Sequence, residues 1–589
     1  MLGVPTVHAQ APSEAPKATT TPQSLPSVED RRKALNQIFV DSWEDNLRNS
    51  PEFASILGDK RYNDKISDFS VRARKEQLER EQGFLNRLKA IDPAGFNAQD
   101  VISRDLLMRQ IAEDQESEQF KGWEMPVNQM GGFHTIYPQV VAQLSFQTVK
   151  DYDDWIARLH AIPKVFDQNI ENMTMGVQDH RVPPKYLLVK VLDNVKEMDQ
   201  KKPEDSPLAM PIQKFPDTIP AADQARIKKE TLDTIRTEIM PAYLRFQHFL
   251  ETTYVPAGRT ELGASSLPDG VKYYQFCIRA QTTTSLSADQ IHQIGLDEVK
   301  RDEAEMLVIG KKLGFADLKS FQASLKTNPK LKPASGEALL AAYRGYLTPM
   351  QAKLPELFGR LPKAGFEVAA VPDFAEKDAA DAYYEPGTPD GKRPGRIRIN
   401  TYNATTRDLT DVEDTAYHEG LPGHHLQISI GQELEGIPDF RKFGGYTAFV
   451  EGWGLYAERL GKDVGFYQDP YSDYGRLQGD ILRAIRLVVD TGVHSQHWTR
   501  EQMVAYFHDH SAINETTVQT ETDRYIADPG QALAYKMGQL KILELRDRAK
   551  TALGAKFDLR AFHDEVLDSG ALPLDVLDAR VNAWIAGQK

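Results

Sequence analysis

Cysteine is nearly absent from this chain: Cys277 is the only one among 589 residues. No intrachain disulfide can form, and a zinc site built from several cysteines is excluded. A lone cysteine within YYQFCIRA is typical of a small, buried apolar side chain. Long hydrophobic runs are also missing. Because no stretch of 18 apolar residues occurs, we expect no membrane-spanning helix.

Acidic residues outnumber basic ones. The chain carries 71 Lys and Arg residues against 85 Asp and Glu residues, which gives a formal net charge of −14. An acidic surface repels phosphate groups, so we expect no nucleic-acid partner. The length of 589 residues exceeds what one compact core usually serves, so we predict at least two lobes.

Residues 1–29 contain five prolines and no Phe, Trp or Tyr. Such a segment has too little apolar surface to order itself, and we predict that it is disordered. Within it, VHAQA resembles the small-residue end of a secretory cleavage site, although a charged start and a long apolar stretch are missing. We interpret the segment as the remnant of an export signal with a linker, which predicts a periplasmic protein. An ordinary disordered tail is the alternative.

Most of the remaining sequence has the apolar spacing of α-helices. Examples are KALNQIFVDSWEDNLRNS and RKEQLEREQGFLNRLKAI. Another helix is predicted to begin at the capping box formed by Ser287 and Gln290. The proline-rich, polar segment 201–224 is predicted to be a loop, which divides an N-terminal lobe (30–224) from a second lobe (225–589).

One clear strand interrupts the helices. In GRIRINTYN, residues 395–403, charged or polar residues alternate with apolar ones. We therefore predict a mostly α fold with a small β-sheet. The strand is either part of a structural hairpin or an edge strand whose free N–H and C=O groups pair with an extended peptide. In the second case Asn400 and Tyr402 are candidate substrate-binding residues.

The sequence TAYHEGLPGHHLQ, residues 415–427, looks like a broken form of the zinc-peptidase motif H-E-x-x-H. In the intact motif, two histidines four residues apart share a helix face roughly one 5.4 Å turn apart, so both reach one zinc ion. Here Pro422 takes the place of the second histidine, and His424 and His425 come later. In a straight helix His418 and His424 would point about 120° apart, and His425 would stand two turns from His418.

Pro422 and Gly423 offer a way to restore the geometry. Proline prevents a straight helix from continuing, and glycine permits the backbone angles that a bulge requires. If two residues are extruded, His424 reaches the position of the missing histidine. We therefore predict His418 and His424 as metal ligands, with His425 as the alternative to His424.

A third ligand and a general base are also needed. Glu419 follows the first ligand, where the general base of H-E-x-x-H sites lies. The later helix GYTAFVEGWGLYAER carries Glu451 and Glu458 on one face. Its Gly452 and Gly454 weaken a helix and are tolerated where something approaches closely. We predict Glu451 as the third ligand and keep Glu458 as the alternative, although a solvated surface carboxylate is the competing interpretation for either residue.

Three stretches carry a resemblance to known proteins: HEGLPGHHLQ, FVEGWGLYAE and RYIADPGQALAYKMG. They are similar to a large bacterial family that is known only as a domain of unknown function and is placed in the gluzincin metallopeptidase clan. That family is distantly similar to angiotensin-converting enzyme, thimet oligopeptidase and the Taq-type carboxypeptidases. The resemblance is specific over residues 395–545. It implies a helical, two-lobed shell around a deep channel that holds one zinc ion.

The resemblance also implies which residues complete the chemistry. Arg524 and Tyr525 are similar to an Arg-Tyr pair of angiotensin-converting enzyme, whose tyrosine donates a hydrogen bond to the tetrahedral intermediate. We assign that role to Tyr525, with Tyr535 as the alternative; a core tyrosine is the competing interpretation for both. Arg524 or Lys536 would bind a substrate carboxylate. His494 would donate to a substrate carbonyl, unless it is simply packed in the core.

These features predict a zinc-dependent hydrolase that uses Glu419 to accept a proton from the attacking water. The resemblance implies that the hydrolase is a peptidase that takes short peptides. A zinc amidase or esterase acting on a non-peptide small molecule is a variant within this class. The alternative class is a non-catalytic protein that captures peptides or metal in a peptidase-like channel. The sequence predicts neither the cleaved bond nor the oligomeric state.

Overall fold

The computed structural model describes residues 26–372, 376, 379–388, 391 and 393–588. The segment predicted to be disordered therefore lies almost wholly outside the described residues. Its last two positions, Val28 and Glu29, already belong to the first helix. Within the described part of the chain, no helix is both long and apolar enough to cross a membrane.

The described chain is mostly α-helical, as predicted. The helices up to residue 257 are α1 (Val28–Asn49), α2 (Pro51–Ile56), α3 (Val71–Lys89), α4 (Ala98–Ser117), α5 (Phe133–Gln143), α6 (Val149–Gln178), α7 (Lys185–Asp199), α8 (Ala221–Thr234), α9 (Met240–Phe249) and α10 (Val255–Ala257). The next are α11 (Gly270–Thr282), α12 (Ala288–Lys312), α13 (Leu318–Lys326), α14 (Gly336–Leu357), α15 (Val412–Glu419), α16 (His424–Glu433), α17 (Asp439–Lys442) and α18 (Thr447–Asp463). The last are α19 (Pro470–Ser495), α20 (Arg500–His510), α21 (Glu515–Ala527), α22 (Leu533–Leu553), α23 (Leu559–Leu567) and α24 (Leu574–Gln588). The strands are β1 (Val127–Asn128), β2 (Gly131–Gly132), β3 (Phe366–Ala370), β4 (Ala382–Glu385) and β5 (Gly395–Ile399).

Local signals in the sequence set several helix ends. The predicted capping box is confirmed at α12: the Ser287 hydroxyl accepts from the Gln290 N–H, and the Gln290 side chain accepts from the Ser287 N–H. The chain leaves this helix through Gly314, whose φ of +91° lies in the region that favours glycine. The two amphipathic stretches predicted as helices near the N-terminus are found in α1 and α3.

The helices α8 to α10 form one continuous rod that contains two π-helical turns. The turns span Ile235–Ile239 and Leu250–Tyr254. Each ends two residues before a proline, Pro241 or Pro256. Proline lacks an N–H and clashes with the carbonyl of the preceding turn. A widened turn moves that carbonyl away, so the helix continues where a regular one would stop.

The hydrophobic core does not divide at residue 224, where the sequence predicted a boundary between lobes. Ile219 and Ile227 lie on either side of that position and belong to one buried cluster, which extends from Val127 to Tyr254. The segment 201–224 forms short 3-10 turns that pack Leu208, Ala209 and Ile212 into the same cluster. The predicted loop is therefore free of α-helix up to Pro220, and its last four residues begin α8.

The main sheet has the strand order β3-β5-β4. The strand β5 pairs in parallel with β3 and antiparallel with β4, so that Ile397 lies between Val368 and Tyr384. Of the two alternatives for residues 395–403, the edge strand is wrong, because β5 is the central strand and ends at Ile399. Its antiparallel pairing with β4 agrees with the structural hairpin. The two edges of the sheet belong to β3 and β4. Ile397 and Ile399 face the core that also contains α14, α15 and α18.

Glycines permit an unusually close contact between α18 and α22. A Cβ atom on Gly452 would lie 2.4 Å from the Cα atom of Gly538, and one on Gly538 would lie 1.8 Å from the carbonyl oxygen of Ala448. Neither distance is possible between non-bonded heavy atoms. The two backbones therefore touch without intervening side chains. This contact fixes α18, which carries Glu451, against α22, which carries Tyr535.

Replacing Gly452 by Ala is expected to lower the free energy of unfolding by about 1–3 kcal/mol, because the new methyl group overlaps the backbone of α22. The matched control is Gly345→Ala on the exposed side of α14, where a Cβ atom meets nothing within 4 Å. This control is expected to raise the stability by up to about 1 kcal/mol, since alanine is the better helix former. Urea unfolding followed by circular dichroism measures both changes. Equal stability of the two variants would contradict the close contact.

Candidate metal centre

The broken motif folds as two helices joined by a tight turn. The helix α15 ends at Glu419, and α16 begins at His424. A Cβ atom on Gly423 would lie 2.0 Å from the carbonyl oxygen of His418 and 2.3 Å from that of Tyr417. Only glycine fits so close to the end of α15. The Trp453 indole N–H donates to the Pro422 carbonyl oxygen at 2.9 Å, which ties the turn to α18.

This turn brings His418, His424 and Glu451 together. The two imidazole centroids are 4.6 Å apart, with their planes at 80°. The Glu451 Oε2 atom lies 3.5 Å from His418 Nε2 and 3.4 Å from His424 Nε2. One donor atom from each residue lies within 4.8 Å of the others, and within the described ranges this is the group that satisfies the geometry of a metal site. These are the three residues that the sequence analysis expected as ligands.

The two alternative ligands lie elsewhere. His425 turns toward the sheet, where its Nδ1 atom is 3.0 Å from the Tyr384 hydroxyl and its ring packs against Phe366. Burial lowers the pKa of His425 to about 4, so its ring is neutral. The Glu458 Oε1 atom lies 2.6 Å from Nδ1 of His418, on the side of the ring away from Glu451. Glu458 therefore orients His418, which is the arrangement found behind many metal-binding histidines.

A third glycine makes room for the His418 ring. A Cβ atom on Gly454 would lie 2.6 Å from Cε1 of His418, so the imidazole packs directly on the backbone of α18. Glu458 lies one turn further along the same helix. Arg483 of α19 stands 4.0 Å from Glu458 and partly balances its charge. The ring is thus held from one face by backbone and from its Nδ1 edge by a carboxylate.

The charges at the site favour a cation. Burial disfavours the charged form of His418, but its contacts with Glu451 and Glu458 outweigh burial and raise the His418 pKa to about 10. Burial raises the pKa of Glu451, but the contacts with His418 and His424 outweigh it and hold that pKa well below its usual value. A positive charge between these carboxylates is therefore stabilised, whether a proton or a metal ion supplies it.

Glu419 differs from the other carboxylates around the site. Glu451 contacts two imidazoles, and Glu458 contacts one. Glu419 is half-buried beside His418, yet it makes no hydrogen bond or ion pair to any residue in the described part of the chain. Its carboxylate remains available to a water molecule or a substrate.

The two candidate tyrosines have different surroundings. Tyr525 is buried; its hydroxyl donates to Glu521 and accepts from Nε of Arg486 at 2.9 Å. Tyr535 is half-buried, with the Arg486 guanidinium 4.5 Å from its ring centroid. Burial and the negative charge of Glu451 raise the pKa of Tyr535. Because the Tyr525 hydroxyl is engaged by Arg486 and Glu521 and the charge of Glu451 acts on Tyr535, the structure favours the alternative, Tyr535.

Two further predicted residues are wrong because each is buried and fully engaged. Lys536 has no exposed surface, and its Nζ atom lies 2.6 Å from Asp480 and 3.0 Å from Glu298. His494 accepts from the Ala264 N–H at 2.9 Å through Nδ1 and donates to the Tyr525 carbonyl oxygen at 2.8 Å through Nε2. Neither side chain is free to contact a substrate.

The remaining predicted substrate-binding residues also hold structure together. Asn400 is buried and donates to the carbonyl oxygens of Glu376 and Ala379, at 2.7 and 2.9 Å. This role contradicts its assignment as a substrate-binding residue. Tyr402 lies beyond the end of β5 and is 36% exposed. Arg524 is partly buried and donates to Glu521, and its Nη1 atom donates to a glutamine side chain at 2.7 Å.

Sequence reasoning missed Arg486. A signal was present: Arg483, Arg486, Asp490 and His494 follow one another at spacings of three and four residues through the apolar stretch ILRAIRLVVDTGVH. That spacing places them on one face of α19. Buried polar groups usually have hydrogen-bond partners. Here Arg483 faces Glu458 of α18, Arg486 contacts Tyr525 of α21, and Asp490 accepts from the Tyr274 hydroxyl of α11.

Comparisons with known proteins agree with the fold. The profile of the family described as "Bacterial protein of unknown function (DUF885)" matches residues 51–581. A crystal structure from Colwellia psychrerythraea, provisionally called a lipoprotein, has a TM-score of 0.90 and 30% identity, covering 95% of this chain and 100% of its own. A structure from Shewanella oneidensis, provisionally called a lipoprotein of unknown function, has a TM-score of 0.71 and 16% identity, over 94% and 99%, and shows the fold alone. No curated protein matches this sequence.

Removing any one of His418, His424 and Glu451 by substitution with Ala is expected to abolish binding of a divalent metal, because each supplies one of three clustered donor atoms. His425→Ala is the matched control, since that ring faces the sheet. Metal content after purification, together with zinc titration by calorimetry, measures the effect. Equal metal loss in the control, or metal retained in all three variants, would show that the cluster is not a metal site.

Glu458→Gln is expected to weaken metal binding by about 10- to 100-fold without abolishing it, because the residue behind His418 sets the ring's orientation and basicity. Asp463→Asn makes the same chemical change on the same helix, but its partners are Arg459 and Arg546. Its metal affinity is expected to match that of the unmodified protein. Competition with a chromophoric chelator measures both affinities, and an unchanged affinity in Glu458→Gln would remove Glu458 from the site.

Proposed function

The chain belongs to the bacterial DUF885 family, whose function is unknown, and we propose that it is a zinc-dependent hydrolase that cleaves short peptides. The proposal extends to location: we place the protein in the periplasm, because the similar structure from Colwellia psychrerythraea is provisionally called a lipoprotein. The relation to the gluzincin peptidases is part of the same proposal. It rests on the site's chemistry, since a shared fold does not fix a function.

The spacing of the three donor atoms supports zinc. Ligand atoms at roughly 2.0–2.1 Å from a tetrahedral ion lie about 3.3 Å from one another. The separations of 3.5 and 3.4 Å between Glu451 Oε2 and the two imidazole Nε2 atoms are close to that value. Two histidines and one glutamate also form a typical zinc set with an open fourth position. A zinc ion supplies Lewis acidity, which polarises a carbonyl group and lowers the pKa of water.

The observation that carries the proposal of catalysis is the unpaired carboxylate of Glu419. A protein that only binds a metal needs the three ligands and their supports, which are all present without Glu419. A half-buried carboxylate that leaves its oxygens unpaired has no structural role among the described residues. Placed next to His418, it accepts a proton from an attacking water and passes it to the leaving amine.

Tyr535 is proposed to stabilise the oxyanion that forms during hydrolysis. A neutral phenol donates a hydrogen bond without competing for the metal ligands. Burial and the Glu451 charge keep Tyr535 in this neutral form, since they raise its pKa. The Arg486 guanidinium against the ring holds the tyrosine in place and adds a positive charge near the developing oxyanion. Tyr525 takes part indirectly, because it helps to hold Arg486.

An extended peptide is the substrate that the sheet favours. The strand β4 packs against α15, the helix that carries His418. Its outer edge pairs with no other strand in the described part of the chain. A peptide that adds to this edge gains main-chain hydrogen bonds irrespective of its sequence. We therefore assign the pairing with substrate backbone, which was predicted for residues 395–403, to residues 382–385. An amidase or esterase acting on a small non-peptide molecule would not use this edge.

Glu419→Gln is expected to bind zinc with unchanged stoichiometry and to lose about 10²- to 10⁴-fold in kcat, because the amide cannot accept the proton. Glu435→Gln, on the exposed chain after α16, is the matched control and is expected to keep full activity. Zinc content and hydrolysis of a peptide mixture, followed by mass spectrometry, give the two readouts.

The same two readouts distinguish the peptidase from the non-catalytic binding protein and from the amidase or esterase. Turnover that survives in Glu419→Gln would refute the proposed mechanism. Zinc-loaded protein that retains peptides without cleaving them would favour the non-catalytic binding protein. Cleavage of small amides or esters but of no peptide would favour the amidase or esterase.

A further inference from the structure

We propose that the cavity lined by Ile428 of α16 and Val450 of α18, the helices that carry His424 and Glu451, is a specificity pocket that receives a large apolar side chain of the substrate. The inference rests on the proposed function and deepens it, because it names the substrate class: peptides with Leu, Ile, Met or Phe at one defined position. It also assigns a role to α2, which lies far from the metal ligands in sequence.

The cavity has a volume of about 330 Å³. This value lies at the lower end of the range for sites that hold small molecules, and it suits one side chain better than a whole ligand. Its walls come from α2 and the turn after it, from the chain after β4, from α16, and from the segment between α17 and α18.

The lining is apolar. Phe53, Ile56, Leu57, Ile428, Phe443 and Val450 all border the cavity, and each of them is half-buried. Side chains of this type at a concave surface gain free energy when another apolar group covers them, by about 25 cal/mol for each Å² removed from water. Six of them around one hollow indicate an apolar occupant.

The two cations at the wall are engaged elsewhere. The Arg441 guanidinium donates to Gln99, Ser103 and the carbonyl oxygen of Ser569, at 2.6–3.0 Å. Lys442 lies 3.3 Å from Asp439. Both side chains are thus held by neighbours within the protein, and apolar atoms form most of the surface that the cavity offers to an occupant.

The cavity borders both helices that carry candidate metal ligands, α16 and α18. On α16, Ile428 lies one turn after His424 on the same helix face. On α18, Val450 directly precedes Glu451. The third connection is the strand β4, whose chain continues into Pro386 at the cavity wall. A peptide paired with β4 would therefore pass the metal ligands and present a side chain to the cavity.

Gln427 gives the pocket a polar contact. It lines the cavity and is 5% exposed, and its side-chain carbonyl oxygen has no hydrogen-bond partner among the described residues. A buried acceptor without a partner is costly. The amide N–H of a bound peptide would supply the missing donor and hold the apolar side chain in register with the site.

The first experiment fills the pocket. Ile428→Trp adds an indole from α16, and Val271→Trp makes the same type of addition where the valine is 74% exposed on α11. Zinc-loaded proteins act on a peptide mixture, and mass spectrometry locates the cleaved bonds. We expect the unmodified protein and the Val271 variant to prefer a large apolar residue at one position. Ile428→Trp is expected to lose about 10- to 200-fold in kcat/KM for such peptides, while peptides with Gly or Ala there are cleaved as before.

Ile428→Ala guards against a folding defect in the tryptophan variant. It enlarges the same pocket, so the preference is expected to shift toward a larger side chain, such as Trp over Leu. An unchanged preference in both Ile428 variants would overturn the pocket and leave the hydrolase proposal intact.

A binding measurement tests the pocket without hydrolysis. N-acetyl-phenylalanine amide and N-acetyl-glycine amide are titrated by calorimetry into Glu419→Gln, and into the same protein that also carries Ile428→Trp. We expect the phenylalanine compound alone to bind, and only to the protein with Ile428 intact. Equal binding to both proteins, or none to either, would overturn the pocket. If Ile428→Trp abolishes binding and the unmodified, zinc-loaded protein cleaves no peptide of the mixture, the pocket is retained and the hydrolase is refuted.

Discussion

The cluster of His418, His424 and Glu451 depends on the space that Gly423 leaves beneath the end of α15. Any side chain at this position would overlap the carbonyl oxygens of Tyr417 and His418, and α16 would have to start further away. With glycine, the turn is tight enough to bring His424 back beside His418. The chain therefore does not preserve one helix with a bulge. It ends one helix and begins another, and a steric fit at one residue recovers the spacing of two histidines.

Much of the site was predictable because its signals are local. Three of its residues, His418, Glu419 and His424, lie within seven positions of one another. Glu451 was chosen because Gly452 and Gly454 beside it indicated that another part of the protein packs closely on that helix. The structure gives those glycines separate tasks: Gly454 receives the His418 ring, while Gly452 meets α22. Helix caps and the mostly α fold were predictable for the same reason, since residues a few positions apart determine them.

What the sequence did not reveal depends on partners that are distant along the chain. Alternation in residues 395–403 indicated a strand but not its neighbours, and β5 is central because β3 and β4 flank it. From the sequence, Lys536 was interpreted as a cation free to bind substrate. In the structure its partner is Asp480, which is 56 residues away. The choice between Tyr525 and Tyr535 depended on Arg486. Its guanidinium donates to the Tyr525 hydroxyl and lies over the ring of Tyr535. Such pairings follow from tertiary packing, which no local pattern records.

The backbone contact between Gly452 and Gly538 has a mechanical consequence. Two helices that touch without side chains between them have no soft layer that can compress or slide, so Glu451 and Tyr535 belong to one stiff body. The opposite side of the neighbouring cavity is different, because Phe53, Ile56 and Leu57 come from a helix of six residues and the turn after it. A bulky side chain in the cavity would therefore displace α2 first. Glu451 and Tyr535 would keep their positions relative to each other.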